Sequence, residues 1–133
     1  LPRECQLWKA LGYAGQSTFQ QIAQIEALVD RVLVDYQNTT IGGGSGRRFN
    51  WQEIDNIQIS IGDPHKLVVA GGIAPSNVHE LDAYPDLSID LSSGVESTLG
   101  VKSIDKIKRL FDRRRCTSKE RQVVRSQSQR RAV

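Results

Sequence analysis

The chain has no methionine, two cysteines and two histidines in 133 residues. Cys5 and Cys116 stand near opposite ends, so they make neither a disulfide framework nor a metal spacing. His65 and His79 are too few and too far apart to argue a metal site, and neither metal nor cofactor is expected. No apolar run approaches the roughly 20 residues of a membrane helix, so no membrane span is expected. The chain starts at Leu1 without methionine. We read that as an expectation that an upstream segment was cleaved, lost or left out, which fits a cytoplasmic protein or one processed into an organelle such as the plastid.

What remains is enough for one domain with a real core; hydrophobic residues make up 38%. The charge is divided. From Arg113 onward eight basic residues face one acid, Glu120, a charge of +7. The whole chain carries +3, so residues 1–112 carry −4. An acidic body, 1–112, with a basic extension, 113–133, is expected. The extension cannot bury a core of its own. It is expected to be ordered only by an acidic partner. Arginine-rich segments do bind nucleic-acid phosphates, but this one has no aromatic residue for stacking bases.

The central stretch is Leu67 to Glu96. Leu67-Val68-Val69-Ala70 is an unalternating apolar run, read as a strand buried on both faces. Gly71-Gly72 follows, then Pro75 at a helix start, with a helix expected to about Ala83. A second apolar run, Leu87 to Leu91, empties into Ser92-Ser93-Gly94-Val95-Glu96. Glycines between a strand and a helix let backbone N–H groups approach an anion. A lone pair of glycines would only make a tight turn. Two strand ends in tandem point to one shared phosphate site.

Elsewhere Leu7 to Leu11 reads as a strand. Ser17 with Gln20 reads as a capping box opening a helix of about three turns. Val32-Leu33-Val34 reads as a buried strand that delivers Asp35 at its end. A loop from Tyr36 to Arg48 holds Gly43-Gly44-Ser45-Gly46-Arg47. Asn50 to Glu53 is expected to cap a short helix through Ile57. Ser88 to Leu91 is the fourth strand. Ser103 caps a last helix, Ile104 to Phe111, with Ile104, Ile107 and Leu110 or Phe111 facing inward. Strands alternating with helices imply a parallel sheet with right-handed crossovers. Four βα units are either half of an eight-unit barrel or a small open doubly wound sheet.

Three ordered motifs narrow this. Gly43-Gly44-Ser45-Gly46-Arg47-Arg48-Phe49-Asn50-Trp51, Ala70-Gly71-Gly72-Ile73-Ala74-Pro75-Ser76-Asn77-Val78, and Asp90-Leu91-Ser92-Ser93-Gly94-Val95-Glu96 with Gly100-Val101-Lys102 resemble phosphoribosylanthranilate isomerase. That family is a TIM barrel of tryptophan biosynthesis. It opens a phosphoribosyl amine to an enol-amine by an Amadori rearrangement. The resemblance covers about residues 7–112 and implies the C-terminal half of the barrel, the fifth to eighth βα units. It implies Asp35 as the general acid at the furanose ring oxygen. It implies Gly71, Gly72, Ser92, Ser93 and Gly94 as the grip on a phosphoribosyl ligand.

The departures also matter. The family's general base, a cysteine ending its first strand, and an early arginine belong to the absent half. Cys5 precedes the strand matching the fifth and reads as a small buried hydrophobe. Arg48 stands for a threonine and Asn50 for an aspartate. Residues 113–133 match nothing in the family. Two expectations follow: an isomerase half, inactive alone, or a retired half-barrel serving as a structural or docking subunit anchored by its basic extension. Either way other chains are expected at the open strand edges.

Overall fold

The computed structural model describes residue 2, residues 4–36 and residues 53–114. Within them the order is β1 (Trp8–Gly12), α1 (Gln16–Ile25), β2 (Arg31–Asp35), α2 (Glu53–Ser60), β3 (Leu67–Ala70), β4 (Ser88–Asp90), β5 (Glu96–Thr98), β6 (Val101–Lys102) and α3 (Ile104–Arg113). The first four strands form one parallel sheet in sequence order. This is the α/β fold with a parallel sheet that the alternation implied. The expectations resting on the 43–47 loop, Arg48, Asn50, Cys116 and the extension from residue 115 lie outside the described residues.

β3 is buried along its whole length, as an unalternating run in a covered parallel sheet should be. β2 alternates instead: Val32 and Val34 are fully buried, whereas Leu33 is only half-buried. The core joins Val32, Val34 and Val69 to Ile22 of α1, to Ile54 and Ile57 of α2, and to Val78 and Leu81. Each such aliphatic side chain contributes about 1.5–3 kcal/mol relative to exposure.

Several local expectations are corrected. The capping box at Ser17 does not form; the helix begins two residues earlier, at Gln16 behind Gly15, whose φ of 61° suits glycine. Thr18 Oγ1 takes over locally, accepting from the Ala14 N–H at 2.7 Å, while Ser17 accepts from Gln21. α2 runs to Ser60 rather than Ile57. The helix expected from Pro75 is a 3-10 segment, Val78–Ala83. Asn77 diverts its start: Oδ1 accepts from the Ala74 N–H and Nδ2 donates to the Gly72 carbonyl, an alternative to helix bonding. Tyr84, which precedes Pro85, is held out of the helical region and closes it.

Ser103 does cap α3, its hydroxyl accepting from the Lys106 N–H at 3.2 Å. Leu110 is buried and Ile107 packs on the core, but Ile104 and Phe111 are exposed. Glu96 opens β5 of a two-stranded antiparallel hairpin. Cys5 is exposed rather than buried, in the irregular segment before β1. Arg113 and Arg114, expected to open the basic extension, bond to the body. Arg113 donates to the Pro75 carbonyl. Arg114 donates to the carbonyls of Leu81, Tyr84 and Leu87 at 2.9–3.0 Å. Among the described residues no helix is long and apolar enough to cross a membrane.

Candidate functional site

Parallel strands gather their C-terminal ends on one side, where α/β sheets place ligands. Here the register is tight. Gly12 pairs with Asp35, Asp35 with Ala70, and Ala70 with Asp90, so four strand ends stand in one row. The loops leaving that row enclose a cavity of about 90 Å³. Asp35, Gly71, Gly72, Ser92, Ser93 and Gly94 all line it. The residues singled out in the described sequence are therefore brought together.

Two glycines make the turn after β3. Gly71 and Gly72 have φ of 100° and 69°, in the region that strains any other residue. Asn77 braces the same turn through its bonds to Gly72 and Ala74. Gly94 is needed for a different reason. A Cβ there would lie 1.9 Å from the Ile73 carbonyl oxygen, so the loop after β4 rests directly on the backbone of the loop after β3.

The second loop has its own brace. Lys102 Nζ donates to the Ser92 carbonyl at 3.0 Å, to Ser92 Oγ at 2.9 Å and to Glu96 Oε1 at 2.7 Å. The Lys102 hydrogen bond, followed by one from the Gly100 N–H, holds the Glu96 carboxyl below its ordinary range. Lys106 Nζ donates to the Glu96 carbonyl. The hairpin thus fixes where Ser92, Ser93 and Gly94 sit.

Two features escaped the sequence reading. Asp90 lines the cavity beside the serines and faces Asp35 across Ala70. Its position at a strand end was visible; its place in the row needed the register. Next to Asp35, Tyr36 stacks on Tyr13, with centroids 4.2 Å apart and planes at 16°. The Tyr13 hydroxyl donates to Glu53 Oε2 at 2.7 Å. Burial first, then this bond and the Glu53 charge, push the Tyr13 phenol up to about 12. Burial likewise raises Tyr36. The stack and Glu53 wall the end of β2 against α2.

Chemically, the cavity offers two carboxyl groups, two hydroxyls and close-packed glycine backbone. Its described lining holds no cysteine, histidine or glutamate. Among the described residues no group of three or more metal-binding side chains clusters.

Comparison with known proteins agrees with the geometry. Residues 1–113 match the family model described as N-(5'phosphoribosyl)anthranilate (PRA) isomerase. The tryptophan biosynthesis protein TrpCF of Haemophilus influenzae is 36% identical over 113 residues, covering 84% of this chain and 22% of that protein. The N-(5'-phosphoribosyl)anthranilate isomerase of Brevibacillus brevis is 37% identical over 109 residues, covering 80% of this chain and 48% of that protein. The crystal structure of phosphoribosyl anthranilate isomerase from Thermotoga maritima superposes with a TM-score of 0.65 at 29% identity, covering 83% of this chain and 51% of that one. The chain spans about half the length of the isomerases it matches.

Proposed function

The chain belongs to the phosphoribosylanthranilate isomerase family, and from that premise we propose that it supplies the acid-bearing, phosphate-gripping half of that enzyme's barrel. In this reading β1 to β4 are the fifth to eighth strands of a (β/α)8 barrel. The substrate phosphate sits between Gly71-Gly72 and Ser92-Ser93-Gly94. Asp35, protonated, gives its proton to the furanose ring oxygen as the ring opens. A base must then take the C2 proton to leave the enol-amine. The cavity's described lining offers no cysteine, histidine or glutamate for that step, and in this reading the base comes from the other half.

The observation that carries this reading is the row Asp35–Ala70–Asp90. It holds the acid two strands from the serine loop, with the glycine turn between them. Acid, base and substrate must be positioned together for the rearrangement. The chain alone is therefore expected to be inactive.

The test is complementation. The purified chain is mixed with the separately expressed N-terminal half of the Brevibacillus brevis isomerase, and the consumption of phosphoribosylanthranilate is followed. Activity is expected only in the mixture. Asp35→Asn should lower it by about 10²–10⁴-fold, the usual worth of general acid–base catalysis. A chain that turns over alone at an ordinary enzymatic rate overturns the reading.

Exposed Trp8, Ile104 and Phe111 favour a second reading, a docking subunit without catalysis. That reading stands if the mixture forms a complex but stays inactive.

A further inference from the structure

We propose that the chain carries a second anion site, which shares only Gly94 with the strand-end cavity, and that it takes a small molecule bearing two phosphate-type groups. The site is a cleft of about 300 Å³ between α3 and the turn at residues 74–76. Ser76, Gly94, Lys106, Arg109 and Arg113 line it. Among the described residues no carboxylate does. Asp105 and Asp112 stand on α3 but outside the lining, and the Glu96 carboxylate is engaged by Lys102.

The three cations lie at i, i+3 and i+7 of one helix, so they share a face. Two of them are anchored. Lys106 donates to the Glu96 carbonyl and Arg113 to the Pro75 carbonyl. Each keeps further donors, since an ammonium has three and a guanidinium five. Arg109, between them, makes no hydrogen bond or ion pair with a described residue, and its side chain is exposed. Three like charges converge on one cleft whose described lining holds no carboxylate, which favours occupation by an anion.

Length sets the ligand class. Seven residues of helix at about 1.5 Å each separate Lys106 from Arg113 by roughly 10 Å. One phosphate reaches Arg109 and a single neighbour. Two linked phosphates reach all three cations, and the Ser76 hydroxyl closes the opposite wall.

The experiment is a two-dimensional NMR titration of the full chain with sodium pyrophosphate, repeated with inorganic phosphate. Saturable shifts are expected at Ser76 and residues 106–113, with pyrophosphate binding more tightly than phosphate. Arg109→Gln should weaken pyrophosphate binding at least about tenfold, as loss of a charge-assisted bond does. Arg109→Glu should weaken it further. Because Arg109 makes no bond to a described residue, neither variant removes one from the described fold. Lys108→Gln, on the same helix but outside the cleft, should leave binding unchanged. Shifts confined to Gly71, Gly72 and Ser93 and indifferent to Arg109→Gln overturn the proposal. So does equal weakening by Lys108→Gln, which would mean diffuse attraction to a basic helix.

Discussion

Replacing Gly94 by alanine puts a Cβ 1.9 Å from the Ile73 carbonyl oxygen, 2.9 Å from its carbonyl carbon and 3.1 Å from Cα of Ala74. All three are backbone atoms, so no side-chain tip can swing aside. Opening the shortest contact from 1.9 to 3.0 Å moves one loop away from the other by about 1.1 Å. Overpacking of that kind costs about 1–3 kcal/mol. For a domain of this size the melting temperature should fall by at least about 4 °C. The displaced segment carries Ser92 and Ser93, one wall of the cavity. A shift near 1 Å in a positioning group lowers catalysis by about 10²-fold, so the complemented enzyme should lose activity out of proportion to its lost stability. Gly72→Ala is the control, because its Cβ would meet nothing within 4 Å and only its φ of 69° is strained. It should cost about 1–2 kcal/mol without separating the loops. Thermal melts and steady-state assays of both variants decide the matter. If Gly94→Ala melts with the parent and keeps its activity, the two loops do not rest on each other as described.

Two titration predictions follow from the braces. Lys102 holds the Glu96 carboxyl below its ordinary value, so the folded state favours the ionised form. The stabilisation is present above the unfolded value of about 4.5 and is lost as pH falls through the lower folded value. Acid-unfolding curves of the parent and Lys102→Gln should therefore differ at neutral pH and converge in acid; curves that stay parallel refute the pairing. The Tyr13 phenol is raised from 10.0 to about 12, so its contribution is complete below pH 10 and is lost as pH rises through about 12. Tyr13→Phe should remove that alkaline component, which an ultraviolet titration of the tyrosinates checks.

The sequence was most legible where one residue type carries one physical demand. Four consecutive aliphatics, Leu67 to Ala70, specify a strand covered on both faces, and β3 is that strand. Ser103 before an apolar stripe specifies a cap, and the bond to Lys106 is there. Asp35 at the end of an apolar run lands at the end of β2. Legibility failed where two local interactions compete. Ser17 and Thr18 are both fit to bond the first turn of α1, and burial of Thr18 decided between them. Asn77 sits one residue before a helical pattern, and its own hydrogen bonds replaced the first turn with a 3-10 start. The strand-end row itself belongs to register, which no local signal states. Asp90 has no role legible in its motif alone, because only pairing with Ala70 brings it across from Asp35. Gly94 shows the same limit, since the Ile73 carbonyl that forbids a Cβ is 21 positions away in sequence.

The two outer strands of the sheet are not equivalent, and the difference makes a last prediction. A parallel strand is stable when both faces and both edges are covered. β3 meets that condition. β1 does not: Trp8, Lys9, Ala10 and Gly12 are all exposed, and only Leu11 reaches the core. Trp8 keeps 48% of its surface open, even with the Arg31 guanidinium over its ring. β4 is shorter and better covered, with Ser88 and Ile89 half-buried and Arg31 bonding Ser88. An uncovered edge with an apolar face is a pairing site for another strand. If a complementary half completes the barrel, its strand next to β1 should gain the most, because more apolar area is still exposed there. Hydrogen exchange of the chain, alone and in the mixture, reads this directly. The outward amides of Trp8–Gly12 should exchange fast in the free chain and become protected on mixing, by a larger factor than those of Ser88–Asp90. Trp8→Ala should weaken the association, since truncating an aromatic hot spot costs about 2 kcal/mol or more. Protection that appears first at β4, with β1 unchanged, would mean that the partner approaches the sheet from the other side and that β1 is an exposed edge in the assembly as well.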